Sequence, residues 1–151
     1  MRLKDLDILT SRAELAKLPE GKLLINTINA FSYDNARKDA MFSEALQKGG
    51  VLIPDGISIV KACRFLNAKS QPKERIAGWD LFVFEMEKLN RVGGKVMFLG
   101  SSDAVLKLIR QRVAEKYPKI EVDTYSPPYK PEFSDEDNEA MISAINHSNT
   151  D

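Results

Sequence analysis

An aspartate stands between Pro54 and Gly56, directly after the apolar run Val51-Leu52-Ile53. Proline fixes φ and glycine tolerates a sharp bend, so Pro54-Asp55-Gly56 reads as a strand-to-helix turn. A carboxylate there can face the crevice at the strand ends, beside a helix N-terminus whose dipole keeps it ionised. Such a group can act as a general base. It can equally do no more than cap the next helix, because Asp before Gly is common in turns. Thr27 and Asn29 follow the apolar run Leu23-Leu24-Ile25 and occupy the same kind of position. Gly100-Ser101-Ser102-Asp103 follows a third apolar run. Exposed N–H groups at such a turn can hold an anion. A plain capped helix fits as well, since the full G-x-G-x-x-G pattern is absent and Asp103 would repel a phosphate. Asp123, at the expected end of the following strand, falls where a dinucleotide fold places its ribose-binding acid.

The remaining reactive types carry weaker signals. Arg75 precedes Ile76-Ala77-Gly78, but it is one of 22 basic residues, and an arbitrary Arg belongs to the surface. Cys63 lies in an apolar helical stretch and reads as a small core residue. Trp79, at a helix start, is expected to pack rather than to stack on a ligand. His147 lies in a polar tail with no partner visible in the sequence, and no role is assigned to it.

These residues need elements to hold them. Short strands are expected around Ile25, at Val51–Ile53, at 95–100 and at 120–123. Helices are expected over 34–48, 57–66, 78–89 from near Asp80, and after Ser102. A last helix should start at Ser134, with Asp137 at the capping-box position. Gly49 and Gly50, Gly93 and Gly94, and Pro118 supply stops. Alternating short strands and helices imply an α/β domain, a Rossmann-like, mainly parallel sheet flanked by helices, formed by residues 1–151 as a single domain.

Composition narrows the function classes. The chain has 151 residues with 22 basic and 22 acidic side chains, and the zero net charge argues against a bulk nucleic-acid binder. One cysteine forbids an intrachain disulfide, and one cysteine with one histidine disfavours a zinc site. No apolar run reaches the roughly 18–20 residues that span a bilayer, and acidic residues interrupt the N-terminus at once. A cytoplasmic location follows as the expectation.

The ordered series resembles the WecG/TagA/CpsF family of bacterial glycosyltransferases. It comprises Ile25-Asn26-Thr27-Ile28-Asn29-Ala30, Val51-Leu52-Ile53-Pro54-Asp55-Gly56, Arg75-Ile76-Ala77-Gly78-Trp79-Asp80-Leu81, Val96-Met97-Phe98-Leu99-Gly100-Ser101-Ser102 and the loop from Tyr125 to Ser134. The resemblance runs from about Leu23 onward. It implies an inverting, metal-independent transferase that needs no cofactor. This enzyme would move N-acetylmannosamine from a UDP-sugar donor to undecaprenyl-diphosphate-linked GlcNAc, for teichoic acid or capsular polysaccharide. Carried over by position, Asp55 is the catalytic base, Thr27 and Asn29 line the sugar pocket, and Arg75 meets the diphosphate or acceptor. Tyr129 lies against the nucleotide base. Apart from the resemblance, Gly100 and Ser101 are the candidate phosphate-binding turn, the residues expected to contact the nucleotide.

The family continues beyond a position like Asp151 with a further strand, a Pro-x-Gln-Glu motif and a membrane-reaching appendage. The expectation is therefore a C-terminally truncated chain that still folds but is inactive or nearly so. Its unpaired sheet edge would favour a homo-oligomer, and its membrane contact, peripheral and at the inner face, would run through the missing segment. Two other readings stay open: a nucleotide-sugar-binding fragment without turnover, and a different Rossmann-like nucleotide enzyme.

Overall fold

The computed structural model describes residues 1–150. The chain forms two compact units, Met1–Phe84 and Glu85–Asp151. Each is built on one pair of parallel strands, as the Rossmann-like expectation requires.

In the first unit β1 (Ile25–Ile28) lies beside β2 (Val51–Pro54), with Ile25 opposite Val51 and Ile28 opposite Pro54. Helices α1 (Ala30–Lys38) and α2 (Ala40–Gln47) form the crossover, and α3 (Ile57–Phe65) follows β2. The expected single helix over 34–48 is thus two helices that meet at Asp39. The Asp39 backbone is extended, its amide closes α1 on the Asn35 carbonyl, and its carboxylate accepts from the Phe42 amide. An Asp with three free amides ahead of it caps a new helix more favourably than it continues the old one.

After α2 the chain passes very close to β1. A Cβ on Gly49 would sit 2.6 Å from Asn26 Nδ2 and 3.1 Å from the Leu24 carbonyl, so a larger residue would displace the Asn26 side chain. That Asn26 amide donates to the carbonyls of Ala45 and Leu46, closing the C-terminal end of α2.

The first twenty residues, which carry no helical or strand periodicity, form two short 3₁₀ turns, Leu3–Asp5 and Arg12–Lys17. They are structural all the same. Leu3, Leu6 and Ile8 join Ile28, Leu52, Ile59 and Cys63 in one apolar cluster. Leu15 joins Ile53 and Ile76 in another. The Leu9 amide bonds the Leu52 carbonyl at 2.9 Å, tying this segment to β2.

α4 (Gly78–Val92) starts two residues before Asp80, because Asp80 reaches back to accept from the Ala77 amide at 2.7 Å. In the second unit β3 (Lys95–Leu99) pairs with β4 (Glu121–Tyr125), with α5 (Asp103–Lys116) between them and α6 (Asp135–Ser148) after them. Ser102 caps α5, and Ser134 with Asp137 forms the expected reciprocal box on α6. β4 extends to Tyr125, two residues beyond the expected end, because Gly100 and the residues before it keep pairing with it. Among the described residues no helix is long and apolar enough to cross a membrane.

Candidate functional site

The carboxyl ends of β1 and β2 lie side by side. The Asp55 amide donates to the Ile28 carbonyl at 2.9 Å, one step beyond the last paired residues. The next turn returns to the same place, since the Ile76 amide donates to the Pro54 carbonyl at 2.9 Å. A Cβ on Gly56 would meet Asn29 Cβ at 3.5 Å, and one on Gly78 would meet Thr27 Cγ2 at 3.9 Å. Four residues singled out from sequence, Thr27, Asn29, Asp55 and Arg75, therefore gather at one end of one strand pair.

Their side chains are in different states. Asp55 is half-buried and does not cap α3. Gly56 occupies the cap position, and no side chain caps that helix. The capping alternative for Asp55 is thereby removed. Among the described residues the Asp55 carboxylate, the Thr27 hydroxyl and the exposed Arg75 guanidinium have no hydrogen-bond or ion-pair partner. Asn29 has work of its own. Its Oδ1 accepts from the Ser32 amide at 2.9 Å, and the Ser32 hydroxyl accepts from the Asn29 amide. This capping box holds Oδ1 against α1 and leaves the Nδ2 donor for another group.

Arg12 orders the loop that carries Arg75. Its amide donates to Glu74 at 2.9 Å, and its guanidinium pairs with Asp80 at 3.2 Å and Glu74 at 3.6 Å. It also donates to the Arg75 carbonyl at 3.4 Å. Lys73 is held by the Thr10 carbonyl in the same stretch. Nothing local in the sequence marks Arg12, because its partners lie 62 residues or more away.

The residues expected to contact the nucleotide belong to the second unit. Gly100 follows β3 with φ +124°, a conformation that favours glycine, and its amide bonds the Tyr125 carbonyl at 2.9 Å. Ser101 is also left-handed, at φ +67°, and its carbonyl accepts from the Ser126 hydroxyl at 2.8 Å. Tyr129, in the loop after β4, is fully exposed. Asp123 departs from the expected ribose-acid position. It lies mid-strand and pairs with Lys95 at 3.0 Å, because β4 runs further than its apolar pattern suggests.

Three secondary expectations are resolved as well. Cys63 is buried, and burial pushes its thiol pKa up, so it is a core residue and not a nucleophile. His147 Nδ1 lies 2.7 Å from the Ser143 carbonyl inside α6. Trp79 departs from the packing expectation: it is 67% exposed and touches one ring, that of Phe82, at 5.2 Å between centroids. Among the described residues no group of three or more His, Cys, Asp or Glu side chains is placed to hold a metal ion.

Parallel strands joined by helices, with an unpartnered carboxylate, hydroxyl and guanidinium at their carboxyl ends, define a Rossmann-like α/β protein with its polar site at the strand ends. Within that class, this chain belongs to the glycosyl transferase WecG/TagA/CpsF family, whose sequence model matches residues 3–151. The match begins well before Leu23, which agrees with the structural role of the N-terminal turns.

Among characterised proteins the chain is similar to the N-acetylglucosaminyldiphosphoundecaprenol N-acetyl-beta-D-mannosaminyltransferase of Bacillus subtilis (strain 168). The two are 29% identical over 106 residues, which is 70% of this chain and 41% of the relative. It is also similar to the protein of that name in Bacillus spizizenii (strain ATCC 23059 / NRRL B-14472 / W23), at 29% identity over 126 residues, 83% of this chain and 48% of the relative. The matched region is thus less than half the length of either relative.

Proposed function

We propose that the carboxyl end of the β1–β2 pair is a sugar-transfer site. The reaction is the inverting transfer of an N-acetylhexosamine, N-acetylmannosamine by analogy with the relatives' names, from a UDP-sugar to GlcNAc on undecaprenyl diphosphate. The observation that carries this reading is Asp55. It is a half-buried carboxylate that caps nothing and pairs with nothing among the described residues, at the strand end where ligands of open α/β sheets bind.

In the reaction Asp55 takes the proton of the acceptor hydroxyl as that oxygen attacks the anomeric carbon. The bond to UDP breaks, and the electron pair leaves with the diphosphate. Arg75 neutralises charge on a diphosphate, which supports the reaction without a cofactor. Thr27 and the Asn29 amide supply hydrogen bonds to the sugar. On the second unit, the turn at Gly100 and Ser101 is proposed as a phosphate contact and Tyr129 as a stacking surface for a base. A lipid-linked acceptor places the protein at the inner face of the cell membrane, as a peripheral protein.

The test pairs a transfer assay with a binding measurement. With UDP-N-acetylmannosamine and a short-chain lipid acceptor, Asp55→Asn should lose about a hundredfold or more in rate while its circular dichroism stays unchanged. A variant within about tenfold of the parent would show that Asp55 is not the base. Saturation-transfer NMR with UDP, NAD and ATP should select UDP. Selection of NAD or ATP would sink the donor assignment, and UDP binding without any turnover would favour the nucleotide-sugar-binding alternative.

A further inference from the structure

A strand pair has two outer edges, and each unit closes the outer edge of its second strand in its own way. Backbone polar groups alternate sides along a strand, so one residue points at the partner strand and the next points away. In β2 the Val51 amide bonds the Leu24 carbonyl and the Asp55 amide bonds the Ile28 carbonyl, so the odd-numbered residues face β1. Leu52 and Pro54 therefore face outward. Backbone takes both of their carbonyls: the Leu9 amide bonds Leu52 and the Ile76 amide bonds Pro54, each at 2.9 Å. Pro54 has no N–H to offer.

In β4 the Glu121 amide bonds the Gly94 carbonyl at 3.1 Å, and the Tyr125 carbonyl accepts from the Gly100 amide at 2.9 Å. The odd-numbered residues again face the partner strand, and Val122 and Thr124 face outward. Among the described residues no strand lies on that side. A single side chain does. Arg110, from the middle of α5, donates from Nη1 to the Val122 carbonyl at 2.6 Å. Its Nε and Nη2 donate to the Thr124 hydroxyl at 3.2 and 2.9 Å. The guanidinium thus takes the place of the N–H that a further strand would bring, and its rigid fork spans two outward-facing residues.

An open strand edge is a template on which another chain pairs, and a charged side chain laid over it is one way to prevent that. We propose that Arg110 is an edge guard: it stands in for a neighbouring strand on β4 and keeps a second copy of the chain from pairing there. Identical edges meet about a two-fold axis, so the species that Arg110 prevents is a dimer with two β4 strands side by side and antiparallel. Main chain closes β2, and no single substitution opens it. One side chain closes β4, so its removal opens that edge. The contact lies wholly in the second unit and is independent of the transfer reaction.

Sedimentation velocity of the whole chain over a concentration series tests the guard. Arg110→Ala should add a concentration-dependent species of twice the parent's mass, while its circular dichroism stays parental. Arg110→Met, which keeps the stem and loses the donors, should do the same. Arg112→Ala removes an equal charge from α5, where Arg112 pairs with Glu115 at 3.2 Å, and should sediment as the parent does. In the new species the Thr124 amide should exchange at least about tenfold more slowly. Thr124→Pro removes that outward amide and leaves the ladder to β3 intact, so Arg110→Ala combined with Thr124→Pro should again sediment as the parent.

Four results would overturn the proposal: parental sedimentation of both Arg110→Ala and Arg110→Met, equal association of Arg112→Ala, a new species that survives Thr124→Pro with Thr124 exchange unchanged, or loss of the native circular dichroism in both Arg110 variants. The third would place the pairing on another surface. The fourth would make Arg110 a tie that holds the fold and not a guard.

Discussion

In the first unit Ile28, Ile53 and Pro54 are closed off from water, whereas no residue of β3 or β4 in the second unit is fully buried. Both units join two parallel strands through helices, yet they hold their strand ends in different ways. Around β1 and β2, packing does it: Leu15, Ile53 and Ile76 form one apolar cluster, and the N-terminal turns cover β2. Around β3 and β4, polar ties do more. Arg110 donates to the Val122 carbonyl and the Thr124 hydroxyl, Lys95 pairs with Asp123, and Ser126 holds the Ser101 carbonyl. A buried scaffold keeps the carboxylate, hydroxyl and amide of a site in register, because close-packed side chains leave little room for displacement. Exposed polar ties are individually weak, so each contributes little to holding the second pair's strand ends.

The sharpest way to break this comparison is a cavity in each unit. Ile53→Ala removes a fully buried side chain and should cost about 2–5 kcal/mol by chemical denaturation. Leu99→Ala, at a position already 42% exposed, should cost about 1 kcal/mol or less. Equal losses would show that the two strand pairs are packed alike.

Asn29 separates scaffold from site within the first unit. Asn29→Ala loses the cap of α1 and should cost about 1 kcal/mol. Asn29→Ser keeps a capping oxygen and should fold with nearly parental stability, but it lacks the free amide. Donor affinity should fall in both variants. If serine restores donor affinity along with stability, Asn29 is a cap and nothing more.

Arg12 should matter locally rather than globally. Its pairs with Glu74 and Asp80 are partly exposed, so Arg12→Ala should cost no more than about 1 kcal/mol overall. Hydrogen exchange should nonetheless quicken at the amides of residues 73–80, with Arg12→Lys intermediate. Unchanged protection there would mean that packing alone holds the Arg75 loop.

The smallest effect is one the two units share. The Thr10 hydroxyl and amide hold the Glu14 carboxyl below its usual range, and Lys130 does the same for Asp137. A folded pKa below the unfolded value stabilises above the ordinary carboxylate range, and that contribution is lost as pH falls through the lowered folded value. Glu14→Gln and Asp137→Asn should each slightly flatten the acid limb of a melting-temperature profile. A steeper limb in either variant would contradict the assigned partners.

What the sequence determined by itself is the local layer. Apolar runs and helical periodicity set the order of strands and helices. Ser134 with Asp137, and Ser102, announced their caps because a cap is made within three residues. Asp39 carried the same kind of signal for the break between α1 and α2. The Pro54-Asp55-Gly56 turn located the candidate base, and Thr27 and Asn29 were legible as strand-end residues.

Tertiary structure decided the rest. It released Asp55 from capping, gave Asn29 a second task, turned Trp79 outward, paired Asp123 with Lys95, and gave the unpatterned N-terminal turns their place in the core. It also set Arg12 against Glu74, a partner 62 residues away. Periodicity and capping report hydrogen bonds closed within one turn of chain. A contact across some sixty residues depends on which surfaces meet once the chain has closed on itself, and no local pattern encodes that.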